Sequence, residues 1–132
     1  MKKGFIDNIQ DLTLGNENFR KVLYTATGMQ LVLMTLQAGE EIGSETHEDV
    51  DQFFRIEEGE GEVWIDDVCT KISDDFGIIV PRGAKHNVVN TGKGLLKLYT
   101  IYSPPEHRDG FIAKTKAEAE AAHEHWDGKI TE

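Results

Sequence analysis

An all-β barrel or sandwich is the fold class this sequence predicts, and three features predict it. Short runs of β-branched, aromatic and aliphatic residues recur along the chain. Clusters of Gly, Asp, Asn and Pro separate them at intervals of about eight to twelve residues, the spacing of strands joined by tight turns. Only the last stretch, beyond Pro104-Pro105, carries a helical signature.

The elements follow in order. Phe5-Ile6 reads as a short edge strand and Asn8 to Asn18 as loop, because little periodicity runs through it. Arg20 to Thr25 is a first core strand. Met29 to Leu36, an apolar run bounded by Gly28 and Gly39, is a buried second one. After a turn over Ala38 to Gly43, Gln52, Phe54 and Ile56 alternate with Phe53 and Arg55. Phe54 and Ile56 are core types, so Gln52 faces inward with them and Asp51 faces outward. Glu58 to Gly61 turns the chain into Glu62–Ile65, and Asp66-Asp67 turns it back into Val68–Ile72. Ser73 to Asp75 leads to Gly77–Val80, Pro81-Arg82-Gly83 stops that strand, and His86–Val89 and Leu95–Tyr102 complete the barrel. In the tail, Thr115 and Glu118 form a capping box for an Ala- and Glu-rich helix over Lys116 to Trp126, with Gly128 as its stop.

With 132 residues the chain reads as one domain, its barrel spanning about 20–103 and its tail 104–132. A net charge of -10 argues against nucleic acid or an anionic membrane surface as partner, since both are polyanions. Cys69 is the only cysteine, so no intrachain disulfide forms, which suits a reducing cytoplasm. Neither a signal-peptide core nor a transmembrane run is present.

The chemistry gathers between Glu45 and Asn90. Glu45 and His47 stand two apart and share a strand face, as do His86, Val88 and Asn90. Carboxylate, imidazole and amide oxygen all coordinate divalent first-row metals. Plainer readings stay open: Glu45 as part of the acidic run with Glu40, Glu41, Glu48 and Asp49, Gln52 as a buried amide, His86 as a hydrogen-bonded core residue. Asn90 reads as a turn or backbone-pairing residue, and Arg82 and Lys85 as solvated surface. His123 and His125, two apart in a helix, point to different faces and form no zinc pair. Cys69 has no activating partner and reads as a small apolar filler.

The spacing of these residues resembles the two motifs of the cupin family. Gly39, five residues, Glu45-x-His47, four residues, Gln52, six residues and Gly59 follow the first motif. Asp75, five residues, Pro81-x-Gly83, two residues, His86, three residues and Asn90 follow the second, with fifteen residues between Gly59 and Asp75. The resemblance covers roughly residues 30 to 102. Three positions depart from it: Glu45 stands where the family has its first His, Gln52 where it has Glu, and Asp75 where it has a glycine.

The resemblance implies a double-stranded β-helix, or jelly-roll barrel, with a short C-terminal helix. It implies a divalent metal (manganese, iron, nickel or zinc) in the barrel, held by Glu45, His47, Gln52 and His86. It further implies a small oxygen-bearing substrate such as a sugar or hydroxy-carbonyl compound, with the metal as Lewis acid in an isomerase, lyase or dioxygenase. Glu45 is then a ligand or a base, and Tyr99 or Tyr102 a proton donor or substrate-orienting group. Sugar isomerisation is one option, by distant similarity to the metal domain of mannose-6-phosphate isomerase. A barrel that binds a small ligand without chemistry is the alternative. A homodimer is expected, with Phe53, Trp64 and Phe5 at its contacts.

Overall fold

Ten strands and two short helices make up the chain in a computed structural model that describes all 132 residues. They run α1 (Ile9–Gly15), β1 (Arg20–Thr25), β2 (Gln30–Leu36), β3 (Glu45–Thr46), β4 (Asp51–Glu58), β5 (Gly61–Ile65), β6 (Val68–Ile72), β7 (Gly77–Val80), β8 (Lys85–Asn90), β9 (Leu96–Ser103), β10 (Ile112–Ala113) and α2 (Lys116–Ala122). All pairings are antiparallel, in a six-stranded sheet ordered β10-β1-β2-β9-β4-β7 and a four-stranded sheet ordered β3-β8-β5-β6. This is the jelly-roll barrel with a short C-terminal helix that the sequence leads one to expect.

Alternation decides what each strand buries. Val32, Met34 and Leu36 of β2, Phe54 and Ile56 of β4, and Leu96 and Leu98 of β9 enter a single core cluster. Val63 of β5, Ile72 of β6 and Val88 of β8 meet them from the opposite sheet. Gln52 is buried with Phe54 and Ile56, as its parity requires. Asp51, on the other face, accepts from the Arg82 backbone N–H at 2.9 Å and pairs with its guanidinium at 3.1 Å.

Four elements differ from the sequence expectation. Phe5-Ile6 forms no strand: the Lys3 and Gly4 N–H groups donate to the Glu132 carboxylate, and Phe5 packs on Tyr24 with ring centroids 6.3 Å apart. The stretch read as loop contains α1. The Asn8 side chain caps it by accepting from the Asp11 N–H, and Lys97, reaching out of β9, donates to the carbonyls of Leu14 and Asn16 at its end. No periodicity announces so short a helix; two side-chain bonds hold it. Strand β10 was also unexpected, and it exists because Ile112 and Ala113 pair with Lys21 and Arg20. Finally, α2 starts at its expected cap, Thr115 accepting from the Glu118 N–H, but stops at Ala122 rather than Trp126. His123 turns left-handed (φ 48°), after which Glu124 accepts from the Arg108 N–H and the Trp126 N–H donates to the Glu106 carbonyl. Tertiary partners pull this segment off the helical path and lay it over the barrel.

Candidate metal centre

The short strand β3 pairs with β8 so that Glu45 stands directly opposite His86. His47 follows one residue beyond β3, and its carbonyl accepts from the Gly83 N–H at 2.8 Å, which ties the Pro81-Arg82-Gly83 turn to it. Gly83 sits at φ 87°, a conformation glycine adopts without cost, and the turn delivers His86 back to the earlier strand. The ligating atoms of Glu45, His47 and His86 consequently lie within 4.8 Å of one another. The two imidazole centroids are 5.3 Å apart.

Two buried atoms in this group lack a regular hydrogen bond. His47 Nε2 stands 2.9 Å from Glu45 Oε2, an ion-pair contact out of line for a regular hydrogen bond. Gln52 Oε1 has no hydrogen-bond partner. Its orientation is set by the network: the Thr100 hydroxyl donates to the Phe53 carbonyl and so accepts from Gln52 Nε2 at 2.9 Å, leaving the amide oxygen free. Unsatisfied buried acceptors are rare, because each costs about 1–3 kcal/mol. One carboxylate, two imidazoles and one free amide oxygen form a donor set that suits a divalent first-row cation, so the residues present fit the metal the sequence implies.

Electrostatics prepare the same atoms. Burial alone would raise the Glu45 carboxyl, but His47, Arg20 and His107 outweigh it and hold its pKa below the ordinary value. The Glu45 carboxylate beside His47 raises that imidazole against the effect of burial, with Glu106 adding to the rise. Burial lowers the pKa of His86 and favours the neutral, ligating form, and its Nδ1 lies 3.3 Å from the Ala84 carbonyl, which turns Nε2 outward from that contact.

Around the cluster lies a shell of which the sequence pointed to Tyr102 alone. Glu106 Oε1 is 3.6 Å from His47 Nδ1, the far side of the ring from Glu45. Tyr102, paired with Gln52 across β9 and β4, is buried, and its hydroxyl is 3.1 Å from His107 Nε2. His107 Nδ1 in turn meets the Glu124 carboxylate. A carboxylate only accepts, so with a neutral ring Nδ1 carries the proton and Tyr102 donates to Nε2. Tyr102 and His47 stand edge to face with centroids 6.1 Å apart. Burial pushes the Tyr102 phenol well above its usual pKa. A cavity of about 460 Å³ opens over Glu45 and His47, bounded on its far side by the tail residues Glu106, His107, Lys116 and Glu124.

Tyr99 is a correction. It sits one strand position from lumen-facing Leu98 and Thr100, and therefore on the outer face, with Phe5, Tyr24, Leu31 and Ile101. Glu45, His47 and His86 come together, and Gln52 and Tyr102 stand opposite each other on β4 and β9. Asp75, where the family motif has glycine, takes the left-handed conformation (φ 72°), and Arg82 pairs with Asp51. The tail residues Glu106, His107 and Glu124 left no sequence signal, because the strands that carry Glu45 and His86 meet the tail only through the fold.

The Cupin domain family matches residues 32–102 of this chain. "Uncharacterized protein YrkC" of Bacillus subtilis is 46% identical over 126 residues, covering 91% of this chain and 68% of that one. The crystal structure of BH2720 from Bacillus halodurans superposes with a TM-score of 0.89 at 44% identity, covering 90% of this chain and 95% of that one. An uncharacterized conserved protein with a double-stranded β-helix domain from Klebsiella pneumoniae gives a TM-score of 0.66 at 19% identity over 86% of this chain and all of that one. That last likeness bears on fold alone.

Proposed function

The chain belongs to the cupin family, and from that premise we propose that it is an enzyme that holds a divalent metal on His47, His86 and Glu45, with Gln52 as a fourth donor. The observation that carries the proposal is the convergence of the Glu45, His47 and His86 ligating atoms within 4.8 Å of one another, supported by the buried Gln52 Oε1, which has no hydrogen-bond partner. When bound, the metal supplies Lewis-acid polarisation of an oxygen on a small substrate.

The protein's own groups divide the remaining work. Glu45 serves as ligand rather than base, because a carboxylate held below its ordinary pKa is a weak base. Glu106 fixes the His47 ring from its far side, the usual task of a carboxylate behind a metal-binding imidazole. Tyr102 keeps its proton and donates it in a hydrogen bond to His107 Nε2, so that the His107–Glu124 pair holds the phenol in place edge-on to the His47 ring. The tail excludes water from one side of the cavity.

Elemental analysis of protein purified without added metal tests the reading. Near-stoichiometric manganese, iron, nickel or zinc is expected, and none in His86→Ala. A wild-type chain that carries no metal and takes up none in calorimetry sinks it.

The protein is proposed to act as a homodimer. Trp64, Ile79 and Val68 project from the sheets with large exposed apolar surfaces, which favours burial against a second copy. Sedimentation equilibrium should give twice the 14.8 kDa chain mass, and a single-chain mass rejects the dimer.

A further inference from the structure

We propose that the substrate carries a carboxylate and that Arg20 holds it; this rests on the metal reading above and specifies the substrate class of the same cavity. Arg20 opens β1, is only 8% exposed, and lines the cavity with Glu45 and His47. Its guanidinium carbon lies 5.3 Å from the Phe19 ring centroid, an arrangement that fixes the plane of the fork. Its Nε is buried and has no hydrogen-bond partner. No ion pair in the molecule includes it.

Arg108 also lacks an ion pair and lies over a ring, that of Phe111, but it is exposed; the other two arginines are paired. Arg55 is paired with Glu57 and Asp75, and Arg82 with Asp51. Lys116, the second cation at the cavity, faces Glu120 at 3.8 Å. Arg20 acts on the Glu45 and Glu124 carboxyls from beyond ion-pair distance, so its fork is left without a carboxylate in contact, and a largely buried cation in that state is costly unless an anion arrives to meet it. Its position beside Glu45 and His47 means that whatever meets it also reaches the metal site.

The charge of the cavity selects among anions. Glu45, Glu106, Glu120 and Glu124 all line it, against Arg20, Lys116 and the two positive charges of a metal. A phosphate dianion brings more negative charge among four carboxylates, whereas a carboxylate brings one and matches the planar fork with two parallel hydrogen bonds. The volume of about 460 Å³ accommodates a small molecule of this type. The substrate is therefore a small hydroxy or oxo acid, its carboxylate on Arg20 and its other oxygen function toward Glu45, His47 and His86.

Nuclear magnetic resonance of the arginine Nε–H groups reads this directly, since the chain has only Arg20, Arg55, Arg82 and Arg108. Arg20→Lys identifies the Arg20 signal by its loss; should that variant fail to fold, Lys replacements of the other three identify it by elimination. Lactate, its neutral analogue lactamide and inorganic phosphate are titrated into both zinc-loaded and metal-free protein, with zinc content measured in parallel. Lactate should move the Arg20 signal saturably in at least one form and leave the other three in place, while lactamide and phosphate should not move it. In Arg20→Lys, lactate affinity followed at the Thr46 amide should fall roughly 30-fold or more, the scale for truncating a buried charge partner, with zinc content unchanged. An Arg20 signal that ignores lactate in both forms, or answers equally to lactamide, or answers to phosphate alone, overturns the proposal. A saturable lactate response in protein that takes up no zinc upholds the Arg20 assignment and rejects the metal.

Discussion

Glu45 and His86 are register partners in the β3–β8 ladder. The acid that stands where the family has its first histidine is therefore projected from the backbone position directly across from the second-motif imidazole. A side chain of either kind placed there reaches the same point. Glu45→His should bind nickel or zinc at least as tightly as wild type, because a third imidazole replaces the carboxylate. Glu45→Ala should lose more than about 100-fold, beyond the range for losing an outer-shell partner. Competition against a chelator measures both, and equal affinity in Glu45→Ala would remove Glu45 from the ligand set.

Glu106 touches the proposed metal site only through His47. Its carboxylate sits 3.6 Å from Nδ1 and its side chain is 35% exposed, so its loss leaves no hole in the core. Glu106→Gln should weaken metal affinity about 10- to 100-fold with no significant change in thermal unfolding of the metal-free protein. A variant with wild-type affinity would show that Glu106 is only a neighbour of the ring.

Much of this centre was legible in sequence because its parts obey strand arithmetic. The period-2 rule put Gln52 inside with Phe54 and Ile56, and the same rule put Asp51 outside, where it meets Arg82. Applied to β9, the rule separates Tyr102 from Tyr99: the chain positions alone left both open, and the buried partners of each strand decide between them. The closing tail was not legible. His107 and Glu124 are seventeen positions apart and come together only because His123 breaks α2. Nor was α1, whose C-terminal partner Lys97 is more than eighty residues away. Patterns of short range were readable; pairings created by the folded surface were not.

Gly59 sits where β4 turns toward β5, at φ 112°. A methyl group there would come within 2.5 Å of the Leu95 carbonyl oxygen and 3.0 Å of the Leu96 Cα, both backbone atoms that cannot swing aside. The family spacing that places a glycine here thus has a steric cause. Gly59→Ala should lose more than about 1 kcal/mol, since a strained φ adds to the clash. Urea unfolding of the metal-free protein measures it, and an unchanged midpoint would contradict the close approach.

Glu124 predicts how the tail responds to acid. Burial works to raise its carboxyl, but His107, the Arg108 N–H and Arg20 outweigh it and hold the pKa below the ordinary value. A carboxyl whose folded pKa is depressed adds stability above its unfolded pKa, about 4.3, and loses it as pH falls through the folded value. In metal-free protein, wild type should therefore melt higher than Glu124→Gln near neutral pH, and the gap should close as pH drops below about 4. Other carboxyls titrate in the same window, but they do so in both proteins, so the difference isolates Glu124. The protection factor of the Arg108 amide, which donates to Glu124 at 2.7 Å, should fall over the same range in wild type and be low throughout in the variant. A melting gap that does not change with pH would mean that the Glu124 contact with His107 contributes nothing as an ion pair, and that the tail closes the cavity by packing alone.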